Sequence, residues 1–81
     1  MNFIKCNITK ARNLYNKGIS IYLVPSNVYP DFSNHWVKPF EINKKNDDEF
    51  SSFDKHVNSF YYYNCNDSQT GLRVHFYYVN D

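Results

Sequence analysis

The sequence predicts a small α+β fold, a single domain spanning residues 1–81, in which two helices pack on one face of a sheet. Three observations lead to this prediction: short apolar runs with strand periodicity, two segments with helical spacing, and an aromatic carboxy-terminal tail. The sheet is expected to have four or five mostly antiparallel strands. The predicted order is β-α-β-β-α-β-β, ending in a C-terminal hairpin.

The first third of the chain supplies a strand, a helix and a second strand. Phe3–Ile8 alternates between apolar and polar residues, which predicts a short strand. Thr9 is then a suitable N-cap for a helix over residues 10–17 that ends at Gly18. Ile19–Val24 is a nearly continuous apolar run, which is typical of a central strand covered on both faces.

Residues 25–39 are irregular, because three prolines and several turn-forming residues interrupt them. This stretch nevertheless carries large apolar side chains, among them Tyr29, Phe32 and Trp36. These rings either fold back over an open face of the sheet or form an adhesive surface. Trp36–Ile42 is expected to run as an edge strand, where a proline is tolerated.

A second helix is predicted to follow a polar turn, with Asp47 or Asp48 as its N-cap. Its buried stripe is expected to consist of Phe50, Phe53, Val57 and Phe60. The helix is predicted to end near Asn58 or Ser59, and the alternative is that the aromatic run continues it to Tyr62.

The tail carries two aromatic and β-branched runs, Phe60–Asn66 and Leu72–Val79, around a polar segment with Gly71. This pattern predicts a β-hairpin with a loop longer than two residues. One face of the last strand is expected to point to the core and contains Leu72, Val74, Phe76 and Tyr78. The opposite face is amphipathic, could form a contact surface, and contains Arg73, His75, Tyr77 and Val79.

Composition limits the class of function. The net charge is +1, so the whole chain offers no electrostatic argument for binding a nucleic acid or a membrane. Eight Tyr, seven Phe and one Trp are more rings than so small a core is expected to bury. Some of them should therefore be exposed, and exposed aromatic residues are favoured at protein interfaces.

No motif predicts an enzyme, a cofactor or a metal site. The candidate metal ligands, and the candidate members of a cysteine–histidine nucleophile pair, are His35, His56, Cys65 and His75. They lack the close sequence spacing that is typical of a zinc site or a catalytic pair. A phosphate-binding glycine loop is excluded, since Gly18 and Gly71 are the only glycines. The chain has two cysteines and no apolar segment of membrane-spanning length, which predicts a cytoplasmic location with free thiols. A bridge between Cys6 and Cys65 would require neighbouring strands.

Several short stretches together resemble small proteins encoded by phages, plasmids and integrated elements of low-GC Gram-positive bacteria. The stretches are Ile21–Ser26, Trp36, Val57–Asn58, Tyr62–Cys65, Gln69–Gly71 and Phe76–Val79. The resemblance carries no active site. It implies a setting in which tiny proteins block a host enzyme or a defence system, including CRISPR nucleases.

The leading hypothesis is a non-enzymatic intracellular interaction protein, a phage or mobile-element inhibitor that occludes a host protein. The expected partner-binding residues are Tyr29, Phe32, Trp36, Arg73, His75 and Tyr77. The alternative is a single-stranded nucleic-acid-binding protein that stacks bases on an aromatic sheet face. Its phosphate contacts would come from Lys10, Arg12, Lys17 and Arg73. A homodimer through the edge of the terminal strand is a further expectation.

Overall fold

The protein is a four-stranded antiparallel sheet with two helices on one of its faces. The structure is a computed structural model that describes residues 2–25, 39–65 and 73–80, without the side chains of 64, 65 and 80. Its elements are β1 (Asn2–Cys6), α1 (Ile8–Asn16), β2 (Ile21–Pro25), β3 (Phe40–Ile42), α2 (Phe53–Phe60) and β4 (Val74–Asn80). The predicted α+β fold class is confirmed. Neither described helix has the length and apolar character needed to cross a membrane.

The strand order is β1-β4-β2-β3, so the last strand is central. β4 pairs with β1 on one side and with β2 on the other, and all neighbouring strands are antiparallel. The prediction that the terminal strand offers a free edge for a homodimer is therefore wrong. Within the described residues, the two edges of the sheet are β1 and β3.

The predicted first strand of the C-terminal hairpin is helical instead. A π-helical turn, Tyr61–Cys65, follows α2 directly. The chain therefore stays helical beyond Asn58 and Ser59, as the alternative held, and continues past Tyr62, where the alternative ended the helix. Adding a residue to an existing helix costs little, whereas a new strand must find its partner. The strand propensity of tyrosine is thus overridden by the helix that precedes it.

Helix α1 begins two residues earlier than predicted. Asn7, and not Thr9, is the N-cap, and its Oδ1 accepts a hydrogen bond from the backbone N–H of Lys10 at 2.8 Å. Gly18 ends the helix as predicted, with a φ of +85°. The backbone N–H groups of Gly18 and Ile19 donate to the carbonyls of Tyr15 and Leu14, which is the Schellman arrangement.

Ser52 is the N-cap of helix α2, and its side chain accepts a hydrogen bond from the backbone N–H of Lys55. The prediction that Asp47 or Asp48 caps this helix is wrong. Asp48 closes the preceding turn, accepting from the backbone N–H of Phe50, and the hydrogen bonds of this turn lower the pKa of its carboxyl. Phe50 lies before the cap and is 70% exposed, so it does not belong to the buried stripe.

The sheet separates two clusters of apolar side chains. The cluster between sheet and helices is formed by Ala11, Tyr15, Ile21, Leu23, Ile42, Phe53, Phe60 and Phe76. The cluster on the opposite face is formed by Tyr22, Val24 and Tyr77, with Phe3 and Val79 against it. The predicted alternation of β4 is confirmed, since adjacent Phe76 and Tyr77 enter different clusters. Leu72 lies outside the described residues.

Strand β2 is central, as predicted, with β4 on one side and β3 on the other. Four of its residues, Ile21 to Val24, are buried on both faces of the sheet. Strand β3 is at an edge of the described sheet, as predicted, and it covers Phe40–Ile42. Trp36, where that strand was expected to begin, lies outside the described residues.

Replacing Gly18 by alanine is predicted to destabilise the fold by about 1 kcal/mol, because a Cβ is disfavoured at a positive φ. The new Cβ would also meet the flexible end of the Lys45 side chain, 2.9 Å away, which can move aside. Urea unfolding of the Gly18→Ala variant measures the loss. Gly18→Asn is the matched control and should lose less, since asparagine tolerates this conformation better. Equal losses in both variants would contradict the backbone explanation.

Candidate functional site

The described surface carries a group of aromatic rings on β3 and at the end of α2, here called the aromatic surface and consisting of Phe40, Phe60, Tyr62 and Tyr63. The rings of Phe40 and Phe60 lie 6.0 Å apart, and those of Tyr62 and Tyr63 lie 5.1 Å apart in an edge-to-face contact. Tyr63 is 81% exposed and Tyr62 65%, while Phe60 is buried beneath them. Such a group of exposed rings is costly in water unless a partner covers it.

Local structure explains why these rings reach the surface. Successive residues of a helix point about 100° apart, so a run of four aromatic residues cannot face the core together. Phe60 takes the core position, because it follows Phe53 by seven residues on the same stripe. The remaining rings of the run fall on the π-helical turn, Tyr61–Cys65, and π turns occur frequently at functional sites.

A pocket of about 180 Å³ opens within the aromatic surface. Its lining residues are Phe40, His56, Ser59, Phe60 and Tyr63. Strand β3 contributes Phe40, and α2 with its π turn contributes the other residues. No lysine, arginine or carboxylate is among the lining residues. A pocket of this size and character suits one uncharged apolar or aromatic side chain of a partner.

His56 is held in this pocket by a carboxylate on its far side. Its Nε2 lies 2.9 Å from Oδ1 of Asp47, and the two side chains are 24% and 12% exposed. The other oxygen of Asp47, Oδ2, is buried and has no hydrogen-bond partner among the described residues. The ring of Tyr15 meets the imidazole at 6.3 Å. The pair therefore ties α2 to the segment that follows β3.

The structure divides the predicted partner-binding residues. Tyr29, Phe32 and Trp36 lie outside the described residues. Arg73 is exposed just before β4, and His75 is partly buried on the strand face away from the helices. Tyr77, predicted to be a contact residue, is 7% exposed and packed in the second cluster. It is thus part of the core, because the ring fills space beside Tyr22 instead of projecting from the sheet.

The pKa of His75 is lowered from the ordinary value for histidine. Burial lowers its pKa, and the positive charge of Lys5 lowers it further. The imidazole is therefore neutral at pH 7 and adds no cationic charge to this face of the sheet.

The residues of the nucleic-acid alternative are not brought together. Three of them belong to α1 or its C-cap, on the helix side of the sheet: Lys10, Arg12 and Lys17. Arg73 directly precedes β4, two residues before His75, which lies on the opposite face of the sheet. Arg12 already forms an ion pair with Asp54 at 3.0 Å. Lys10 lies over the ring of Tyr78, 5.0 Å from its centre. The described cations therefore do not form one strip along an exposed row of rings.

Chemically reactive side chains do not converge in the described part of the chain. No three His, Cys, Asp or Glu side chains there are close enough to hold a metal ion. Cys6 is a free thiol, as predicted, and burial raises its pKa, an effect that nearby Lys10 partly offsets. His35 and the side chain of Cys65 lie outside the described residues.

Comparison of the chain with protein-family models, with curated proteins and with solved structures found no match. Tyr62 and Tyr63 were missed as surface residues, because the sequence pattern assigned them to a strand. Phe40 was placed correctly in an edge strand but was not identified as a surface residue beside the end of α2. The available signal was the run Phe60–Tyr63 itself, which no helix can bury completely.

We predict that His56→Ala destabilises the protein by about 1–3 kcal/mol, because it leaves the buried carboxylate of Asp47 without a partner. Asp47→Ala should cost less, since an imidazole can turn toward water. The loss in the free energy of unfolding of the double variant should be smaller than the sum of the losses of the two single variants. Urea unfolding of all four proteins gives this cycle, and strictly additive losses would rule out a coupled pair.

The Cys6 thiol is predicted to react slowly with a disulfide reagent at pH 7, since its raised pKa leaves little thiolate. The reaction rate of Cys6 should continue to rise at pH values where the reaction rate of a small peptide thiol has become constant. The measurement uses a Cys65→Ser variant, so that only Cys6 reports. Reaction as fast as that of the free peptide would contradict burial of this thiol.

Proposed function

We propose that this protein is a non-enzymatic interaction module that occludes a partner protein with its aromatic surface. The observation that supports this most directly is the pocket between Phe40, Phe60 and Tyr63, which lies beside exposed Tyr62 and has no lysine, arginine or carboxylate among its described lining residues. Aromatic anchors around a small pocket supply most of the binding energy in many protein interfaces.

The surroundings of the pocket suit a protein partner. Asn58 and Ser59 are exposed on α2 next to the rings and provide a polar rim. Tyrosine buries a large area at a small cost in conformational entropy, because it has only two side-chain torsions. The nucleic-acid alternative has weaker support, since phosphate binding needs cations that the aromatic surface lacks.

The biological role follows from the resemblance to small proteins of phages and mobile elements. In that setting the partner is a protein of the bacterial host, and the action is inhibition by covering a functional surface. An anti-defence protein, including one directed against a CRISPR nuclease, is the proposed role, and the host cytoplasm is the proposed location. The resemblance is an argument by association, and the aromatic surface supplies the physical mechanism.

Variants of the aromatic surface should lose partner binding while remaining folded. Replacing Tyr62 and Tyr63 by serine removes two exposed rings and is expected to weaken binding by about 30-fold or more, the effect of losing a hot spot. The tagged protein is used to recover its partner from lysate of a low-GC Gram-positive host, with and without nuclease. Its affinity for the recovered protein is then measured for each variant.

Phe50→Ser is the matched control, because Phe50 is 70% exposed but lies outside the aromatic surface. It should bind like the unchanged protein. Recovery that disappears after nuclease treatment would favour the nucleic-acid alternative. Equal binding by the control and by the Tyr62→Ser, Tyr63→Ser variant would remove the aromatic surface from the mechanism.

A further inference from the structure

The two edges of the described sheet carry opposite charges in the same cross-strand row. Lys5 on β1 pairs with Tyr77, which pairs with Tyr22, which in turn pairs with Glu41 on β3. Lys5 and Glu41 are both exposed, and they lie on the same face of the sheet. Within the described residues, neither of these two charged side chains has an ion-pair partner.

The backbone at these two positions is also matched. Along an antiparallel row, hydrogen-bonded and non-hydrogen-bonded pairs alternate from one strand to the next. A row of four strands has three pairs, so its first and last pairs are of the same type. The backbone N–H and C=O groups of Lys5 and Glu41 therefore have the same orientation, so the two residues can form one matched antiparallel pair. The two edge strands also run in opposite directions, so β1 of a second copy can extend the sheet beyond β3 antiparallel to it.

Apolar side chains complete the match on the opposite face of the sheet. Phe40 and Ile42 flank Glu41 on the helix side, where Phe40 is 50% exposed and Ile42 is already buried in the core. Ile4 and Cys6 flank Lys5 in the same way and are only partly buried. With Lys5 of a second copy opposite Glu41, antiparallel pairing places Ile4 opposite Ile42 and Cys6 opposite Phe40.

We propose that copies of this protein associate edge to edge, with β1 of one copy extending the sheet beyond β3 of the next. Pairing of like edges is disfavoured, because it places Glu41 against Glu41 or Lys5 against Lys5. The contact is heterologous, so it leaves a free edge at each end and builds open chains instead of a closed dimer. It is weak and reversible, since β3 offers three residues. This inference does not rest on the proposed function.

Charge exchange at the two edges tests the proposal. Lys5→Glu and Glu41→Lys each place like charges at the contact and should weaken self-association roughly tenfold, the effect of a cross-strand charge pair that becomes repulsive. An equimolar mixture of the two variants makes both contacts attractive again and should associate like the unchanged protein. The double variant, with both exchanges in one chain, should also recover.

Sedimentation velocity from micromolar to millimolar concentration at low salt measures the association, and circular dichroism verifies that each variant is folded. Glu49→Lys is the control, because Glu49 is exposed but not on an edge strand, and it should associate like the unchanged protein. The expected result is a gradual rise in average mass that salt reduces. The proposal is overturned if the unchanged protein remains a monomer throughout, or if it associates equally well with either single exchange or fails to recover in the mixture.

Discussion

The fold depends on the insertion of β4 between β1 and β2. Among the described residues β1 pairs with β4 alone, so without β4 it would have no neighbour in the described sheet. The same strand also holds the two faces together. Phe76 contacts Phe53 of α2 at 5.9 Å, while the next residue, Tyr77, packs with Tyr22 on the other face. Two consecutive rings on one strand thus join both apolar clusters.

The helices acquire their stability from this arrangement. An isolated helix of eight or nine residues is marginal in water, so α1 and α2 require a surface to pack on. Tyr15 of α1 and Phe53 of α2 meet at 5.6 Å above Phe76, and this contact fixes the helices relative to each other. Phe60, buried in the same cluster, anchors the end of α2, where the exposed tyrosines begin. The aromatic surface is therefore positioned by a core that the tail of the chain completes.

Local features of the fold could be predicted from the sequence, because they depend on neighbouring residues. The apolar run of β2, the glycine that ends α1 and the alternation along β4 are of this kind. The central position of β4 could not be predicted in the same way, since it depends on pairing with both β1 and β2, between residues 49 to 78 positions apart. The tail was predicted to be a hairpin because tyrosine favours strands, and the propagation of α2 outweighed that preference.

The candidate site was less accessible to sequence reasoning, for a related reason. Asp47 looked like a helix cap because acids suit a helix start, yet its partner is His56, nine residues further on. Phe40 joins Phe60 only after the sheet has formed. Tyr29, Phe32 and Trp36 stay predictions. Arg73 is exposed, as the sequence indicated. The sequence could not reveal that the basic residues of α1, grouped with Arg73 in the nucleic-acid alternative, lie on the other side of the sheet.

The register of β1 on β4 has a mechanical consequence. Asn2 pairs with Asn80, so the first and last described residues lie side by side at one end of the same ladder. A force that pulls these two positions apart acts across the strands, and it breaks the backbone hydrogen bonds between them one after another instead of all at once. The domain should therefore unfold at low force, and β1 should separate from β4 before the hydrogen bonds between β2 and β3 are loaded.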